Sequence, residues 1–126
     1  MRLIDANVNR CREGLRVIED TARFVLGNGT LYRRLRALRH SVDKATRRIY
    51  PQMIAHRNSV SDTGRALKEC KRDNIRAVAS ANFRRVEESL RVLEEYGRLL
   101  IPGSRAVFKE IRYKVYNYEK QLIDMF

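Results

Sequence analysis

The stretch Ala81 to Arg98, ANFRRVEESLRVLEEYGR, repeats an earlier one. Shifted back by 75 positions it reads ANVNRCREGLRVIEDTAR, Ala6 to Arg23. Nine pairs are identical: Ala6/Ala81, Asn7/Asn82, Arg10/Arg85, Glu13/Glu88, Leu15/Leu90, Arg16/Arg91, Val17/Val92, Glu19/Glu94 and Arg23/Arg98. Most of them are polar. A duplicated core needs only matching apolar positions, so duplicated Asn, Arg and Glu require another reason. A repeat also demands a fold built from two like halves.

The local patterns describe those halves. Val8, Cys11, Leu15, Ile18, Ala22, Val25 and Leu26 fall on one helical stripe, which predicts a first helix from an Asp5 N-cap to about Leu26. Gly27 supplies a left-handed stop, and Thr30 can cap the next helix. Leu31, Leu35, Leu38, Val42, Ala45 and Ile49 then alternate steps of four and three, a heptad seam suited to near-antiparallel packing. Pro51 closes this hairpin. A longer helix is expected from Asp73 or Asn74 to Leu100, broken by Pro102-Gly103. Ser104 can cap a last helix striped by Phe108, Ile111, Val115, Tyr118, Leu122 and Met125. The expected fold is all-α: two helical hairpins, about 1–50 and 73–126, related by an internal pseudo-two-fold. They form a four-helix bundle with a crossover loop segment at 51–72. A chain of 126 residues suffices for one domain with one core. Two prolines and six glycines leave little room for a turn-rich β architecture. The broad apolar stripes also allow a homodimer.

The formal net charge is +12, from 21 Arg and 6 Lys against 15 acids. Such an excess attracts anions, and guanidinium grips phosphate or carboxylate with two parallel bonds. No apolar run approaches the ~20 residues of a membrane span. MRLIDANVNR does not read as a signal peptide. Cys11 and Cys70 have neither metal-ligand nor redox spacing. A reduced, cytoplasmic protein with no membrane partner is expected.

On a helical wheel, Asn7, Arg10 and Gly14 lie between the main stripe and a smaller apolar set of Ala6, Val17 and Phe24, with Glu13 beside it. Asn82, Arg85, Ser89 and Glu88 match them. So N-x-x-R-x-x-E runs along an edge that should be partly buried, where charge is costly unless paired or ligand-bound. A cap at Asn7 with a surface Arg10–Glu13 pair is one reading, but Asn82 falls mid-helix, where Asn is unfavourable. Two readings remain open: a buried polar network joining the hairpins, and a ligand pocket. Arg16, Glu19 and Arg23 recur on the opposite side, and the i,i+4 spacing of Glu19–Arg23 and Glu94–Arg98 reads as a solvated, salt-bridged face. In the crossover, Arg57 to Gly64 is a cluster of turn formers; its amides could meet phosphate and Asp62 could ligate Mg²⁺. His40 and His56 are isolated. No P-loop or kinase-type glycine loop is present.

Together these residues resemble a small family, a domain found alone or fused to thiamine-phosphate synthase in bacteria and identified as a hydroxymethylpyrimidine phosphate kinase. The resemblance covers nearly the whole chain. It is carried by Asp5-Ala6-Asn7 with Arg10, Glu13-Gly14-Leu15-Arg16-Val17, Leu38-Arg39-His40, the Arg57…Asp62-x-Gly64 loop, Asn82 with Arg85, and Leu90 to Gly97 followed by Arg112-Tyr113. Asn58 stands where that loop usually has an acid. The resemblance implies transfer of the ATP γ-phosphoryl group to 4-amino-5-hydroxymethyl-2-methylpyrimidine phosphate, with ATP and Mg²⁺ as cofactors. Such a transfer needs mainly positioning and charge neutralisation. Arg10, Arg85, Arg39, Arg112 and Arg57 would contact phosphates, with Arg10, Arg85 and Arg57 catalytic. Asn7, Asn82 and Gly64 would help bind substrate, and Asp62, Glu13 and Glu88 would hold the metal. Two other classes compete. A nucleic-acid-binding bundle accounts for the charge, but the basic residues are interleaved with Glu and the aromatics form no stacking platform. A non-catalytic module docking onto thiamine-phosphate synthase is the other.

Overall fold

The computed structural model describes residues 1–64 and 70–126. The part of the expected crossover at 65–69 lies outside them. The described chain is helical throughout, without a strand: α1 (Arg2–Asp20), α2 (Gly29–Thr46), a short α3 (Tyr50–Ala55), α4 (Ile75–Leu100) and α5 (Ser104–Ile123). The four long helices form the expected bundle. α1 packs mainly on α4, α4 on α5, α1 on α2, and α2 on α5.

The apolar stripes form the core. Val8, Cys11, Leu15, Ile18 and Ala22 of the first half meet Phe83, Val86, Leu90 and Leu93 of the second, with Leu35, Val42, Phe108 and Val115 closing the sides. The helix ends differ from the sequence expectation in instructive ways. α1 begins at Arg2, because the Met1 carbonyl accepts the Asp5 amide at 3.0 Å. Asp5 is therefore inside the helix and not its cap. At the other end α1 widens into a π turn over Thr21–Val25, with the Thr21 hydroxyl donating to the Val17 carbonyl. Gly27 stops it at φ 62°, left-handed backbone that costs glycine little. Asn28, not Thr30, caps α2 by accepting the Leu31 amide at 2.9 Å, and Asn74 caps α4 in the same way through Ala77. Pro51 opens α3 at its first turn, where a missing amide donor costs nothing. Ser104 is the first residue within α5, and its buried hydroxyl faces Gly97.

One contact sets how the halves meet, and a second closes each half on itself. At Gly14 the α1 and α4 backbones approach so closely that a Cβ would lie 2.7 Å from Val86 Cγ2 and 3.1 Å from the Asn82 carbonyl. The second contact is made twice. Glu19 is fully buried and receives two hydrogen bonds from Arg39, Nε to Oε1 at 2.6 Å and Nη2 to Oε2 at 3.2 Å. Glu94, 2 % exposed, receives Arg112 Nε and Nη2 at 3.0 and 2.8 Å. Each pair pins a hairpin shut. This corrects the solvated Glu19–Arg23 and Glu94–Arg98 face: the surface pairs are instead Arg16–Asp20 and Arg91–Glu95.

The repeats are not electrostatically equal. Arg12 on α1 sits 2.7 Å from Asp43 of α2, but its repeat counterpart on α4 is Glu87. That carboxyl is partly buried against Glu119 of α5. Burial first, then the Glu119 charge, push the Glu87 pKa up to about 7 from its ordinary 4.5.

Two predictions follow from these side chains. Glu19→Ala should cost about 3 kcal/mol or more in urea unfolding, because Arg39 is left partly buried without its carboxylate. Exposed Arg16→Ala should change stability by only about 0.5 kcal/mol. As for pH, the folded state holds the Glu87 proton more tightly than the unfolded chain does. Stability from this group is present below pH 4.5 and lost as pH rises to about 7. Glu87→Gln should flatten the fall in melting temperature across that window, and an unchanged slope would reject the assignment.

Candidate functional site

Glu19 faces α2, and Arg10 lies nine residues earlier on the same helix. At about 100° per residue that is about half a turn round, so Arg10 points away from α2. Arg85 stands in the same relation to Glu94 and α5. The duplicated residues therefore line a groove on the α1/α4 side of the bundle. It has a volume of about 980 Å³ and is bordered by Asn7, Arg10, Glu13, Arg84, Arg85, Glu88 and Ser89, with Cys70 and Arg72 from the crossover. Four guanidiniums against two carboxylates make it attractive to anions. The groove is open: Arg10, Glu13, Arg84 and Glu88 are exposed, whereas Asn7 and Ser89 are buried.

Asn7 and Asn82 are held alike. Each side-chain amide donates to the carbonyl four residues back, Leu3 and Val78, at 2.9 Å. That bond is what makes Asn82 acceptable in the middle of α4. Asn7 borders the groove; Asn82 does not, since its turn lies under Gly14. Ser89 donates to the Arg85 carbonyl at 2.6 Å, fixing its hydroxyl beside the groove.

The remaining expected site residues are distributed differently. Arg39 and Arg112 are engaged by Glu19 and Glu94, so they lock hairpins and do not border the main groove. Arg57 reaches back 52 positions to Asp5, with Nε to Oδ2 at 2.8 Å and Nη2 to Oδ1 at 2.6 Å. This two-bonded contact ties the crossover loop onto α1. The tied loop is built of side-chain turns, with Asn58 accepting the Ser61 amide and Asp62 the Gly64 amide. Ser59, Asp62 and Gly64 are thereby placed around a smaller concavity that also contains Arg10. Asp62, Glu13 and Glu88 do not assemble as one metal-holding group: among the described residues no three His, Cys, Asp or Glu do. Cys11 is buried, and desolvation with the Asp43 charge pushes its thiol pKa up to about 12, so it stays protonated.

Arg72, Arg84, Cys70 and Ser80 join the groove without having stood out in the sequence. Arg84 has Asn9 as its repeat counterpart, so duplication could not reveal it. Arg72 comes from the crossover, which has no counterpart at all.

A family model described as the ThiD2 family matches residues 2–121. A thiamine-phosphate synthase of Nostoc punctiforme is 42 % identical over 125 residues, covering 97 % of this chain and 35 % of that protein. One of a Synechocystis species is also 42 % identical over 125 residues, with 97 % and 36 % covered. One of Prochlorococcus marinus subsp. pastoris is 36 % identical over 126 residues, with 98 % and 35 % covered. The chain thus spans about a third of the length of the curated relatives it matches. No solved structure matches. These relatives overturn the expectation of a kinase: their name is that of a different enzyme, and none of them is called a kinase. No helix among the described residues is long and apolar enough to cross a membrane.

Arg57→Ala should release the loop while leaving the bundle intact. Limited proteolysis should then cut within 57–64 faster than in the parent, with little change in the circular dichroism of the helices. Unchanged cleavage would show that the Asp5 contact does not hold the loop.

Proposed function

This chain belongs to the ThiD2 family, and we propose that it is a helical partner module of thiamine-phosphate synthase, serving thiamine biosynthesis by holding a phosphorylated pyrimidine in the α1/α4 groove. The observation that carries this reading is the duplicated Arg10/Arg85 pair on one basic groove, in a chain that aligns along nearly its whole length with part of a synthase. The module holds its ligand and performs no transfer itself.

The chemistry of the groove suits such a ligand. A phosphate monoester is a compact dianion, and guanidiniums at the groove rim supply charge-assisted bonds without a metal. Asn7, buried and oriented by its bond to Leu3, is positioned for a flat heterocycle with donors and acceptors on its edge. Glu13 and Glu88 suit an exocyclic amine. The same carboxylates would repel a ligand presenting only anionic groups.

Two measurements test the reading. 4-Amino-5-hydroxymethyl-2-methylpyrimidine phosphate should raise the melting temperature, and the unphosphorylated alcohol should not. Arg10→Ala and Arg85→Ala should each weaken that effect by roughly tenfold or more in ligand concentration, the loss of one charge-assisted bond. Sedimentation with a thiamine-phosphate synthase should give a complex. If the phosphate ester does not bind and no complex forms, the proposal fails.

A further inference from the structure

Most of the net charge of this chain is carried by one side of the bundle. α1 has four basic and four acidic residues, and α4 has five and four. α2 with the 3₁₀ turn that follows it (Arg47–Ile49) has seven basic residues and one acid, and α5 has five and two. The interleaved Glu residues that argued against a polyanion site are therefore mostly on α1 and α4, where Glu19 and Glu94 are consumed in buried pairs.

The excess on α2 is ordered. Arg33, Arg36, His40, Lys44 and Arg47 step by three and four along the face opposite the buried Leu35, Leu38 and Val42, and all five are exposed. The stripe is about 21 Å long. α5 runs antiparallel beside it, since Asn28 at the start of α2 meets Met125 just past the end of α5. Its outward face carries Arg105, Lys109 and Lys120 with two tyrosines, Tyr113 and Tyr116. The rings lie edge to face, centroids 6.2 Å apart, with the Arg112 guanidinium against both. Tyr113 is 58 % exposed. The acids nearby are occupied: Asp43 by Arg12 at 2.7 Å and Glu110 by Lys114 at 2.5 Å.

We propose that the outer faces of α2 and α5 form a docking surface for single-stranded nucleic acid, with phosphates along the α2 stripe and bases on Tyr113 and Tyr116. Charge alone would fit any polyanion. The exposed aromatic pair favours a single strand, because unpaired bases offer π faces that a duplex, an acidic protein or a lipid headgroup does not. The Arg112 guanidinium at both rings adds a cation–π contribution to such a platform. The surface lies on the opposite side of the bundle from the α1/α4 groove and does not depend on what that groove holds.

Anisotropy of labelled oligo-dT and oligo-rU with the intact chain tests this. At physiological salt, binding of either supports the proposal, and the slope of log affinity against log salt should be about −3, as for four phosphates on a single strand. The double variant Arg36→Glu/Arg47→Glu should weaken binding at least tenfold. Tyr113→Ala should weaken the single strand by about fivefold or more and leave duplex binding unchanged. Arg10→Ala, in the other groove, should leave both unchanged, so a failure here is separable from a failure of the groove to bind its ester. Four results overturn the proposal: no single-strand binding at physiological salt, a duplex or polyglutamate bound as tightly as oligo-dT, capture by anionic phosphatidylserine vesicles in preference to oligo-dT, or a silent Tyr113→Ala.

Discussion

Glu19 and Glu94 are carboxylates removed from water, and each is held there by a guanidinium from the next helix, Arg39 and Arg112. Burying a charge is tolerable only when its partner arrives in the right geometry. The two pairs therefore select one pairing of α1 with α2 and one of α4 with α5. Other parts of the arrangement depend on that choice. With Glu19 and Glu94 turned toward α2 and α5, the groups half a helical turn away must face outward, and these are Arg10 and Arg85. The buried pairs and the groove are two sides of the same helices.

Close packing joins the two halves. Gly14 lets α1 and α4 approach until a single methyl group would collide with Val86. The crossover then makes the groove unequal, because Arg57 fastens its loop to Asp5 on α1. The first-half Arg10 borders the smaller concavity beside the loop as well as the main groove that it shares with Arg85. A symmetric ancestor would present two like half-sites; the loop removes that equivalence.

Divergence of the repeats is visible in their charges too. Arg12 and Glu87 occupy equivalent positions, yet one finds Asp43 and the other finds Glu119. One half gains an ordinary ion pair and the other a carboxyl that keeps its proton near neutral pH. Segregation of charge is the larger consequence. With α1 and α4 nearly balanced and α2 and α5 strongly basic, the two sides of the bundle differ in electrostatics: one is a groove that contains acids, the other a face whose acids are paired.

Local chemistry determined the all-α class, the hairpins, the Gly27 stop and the Asn74 start, because periodicity, caps and left-handed glycines act within one helical turn of the chain. Duplication also singled out Asn7, Arg10, Glu13, Arg85 and Glu88, which share one groove. Only tertiary structure decided the fate of Glu19. Its i,i+4 neighbour Arg23 is the local partner, but Arg39, twenty positions on, is the partner that can follow it into the interior. Arg112 takes the same part for Glu94, eighteen positions on, and spacing alone does not say which groups are buried. Asp5 was decided in the same way. An acid near a helix start reads as a cap, and a guanidinium 52 residues later turned it into an anchor. A partner that distant leaves no trace in local spacing, because what brings it near is the packing of the whole core.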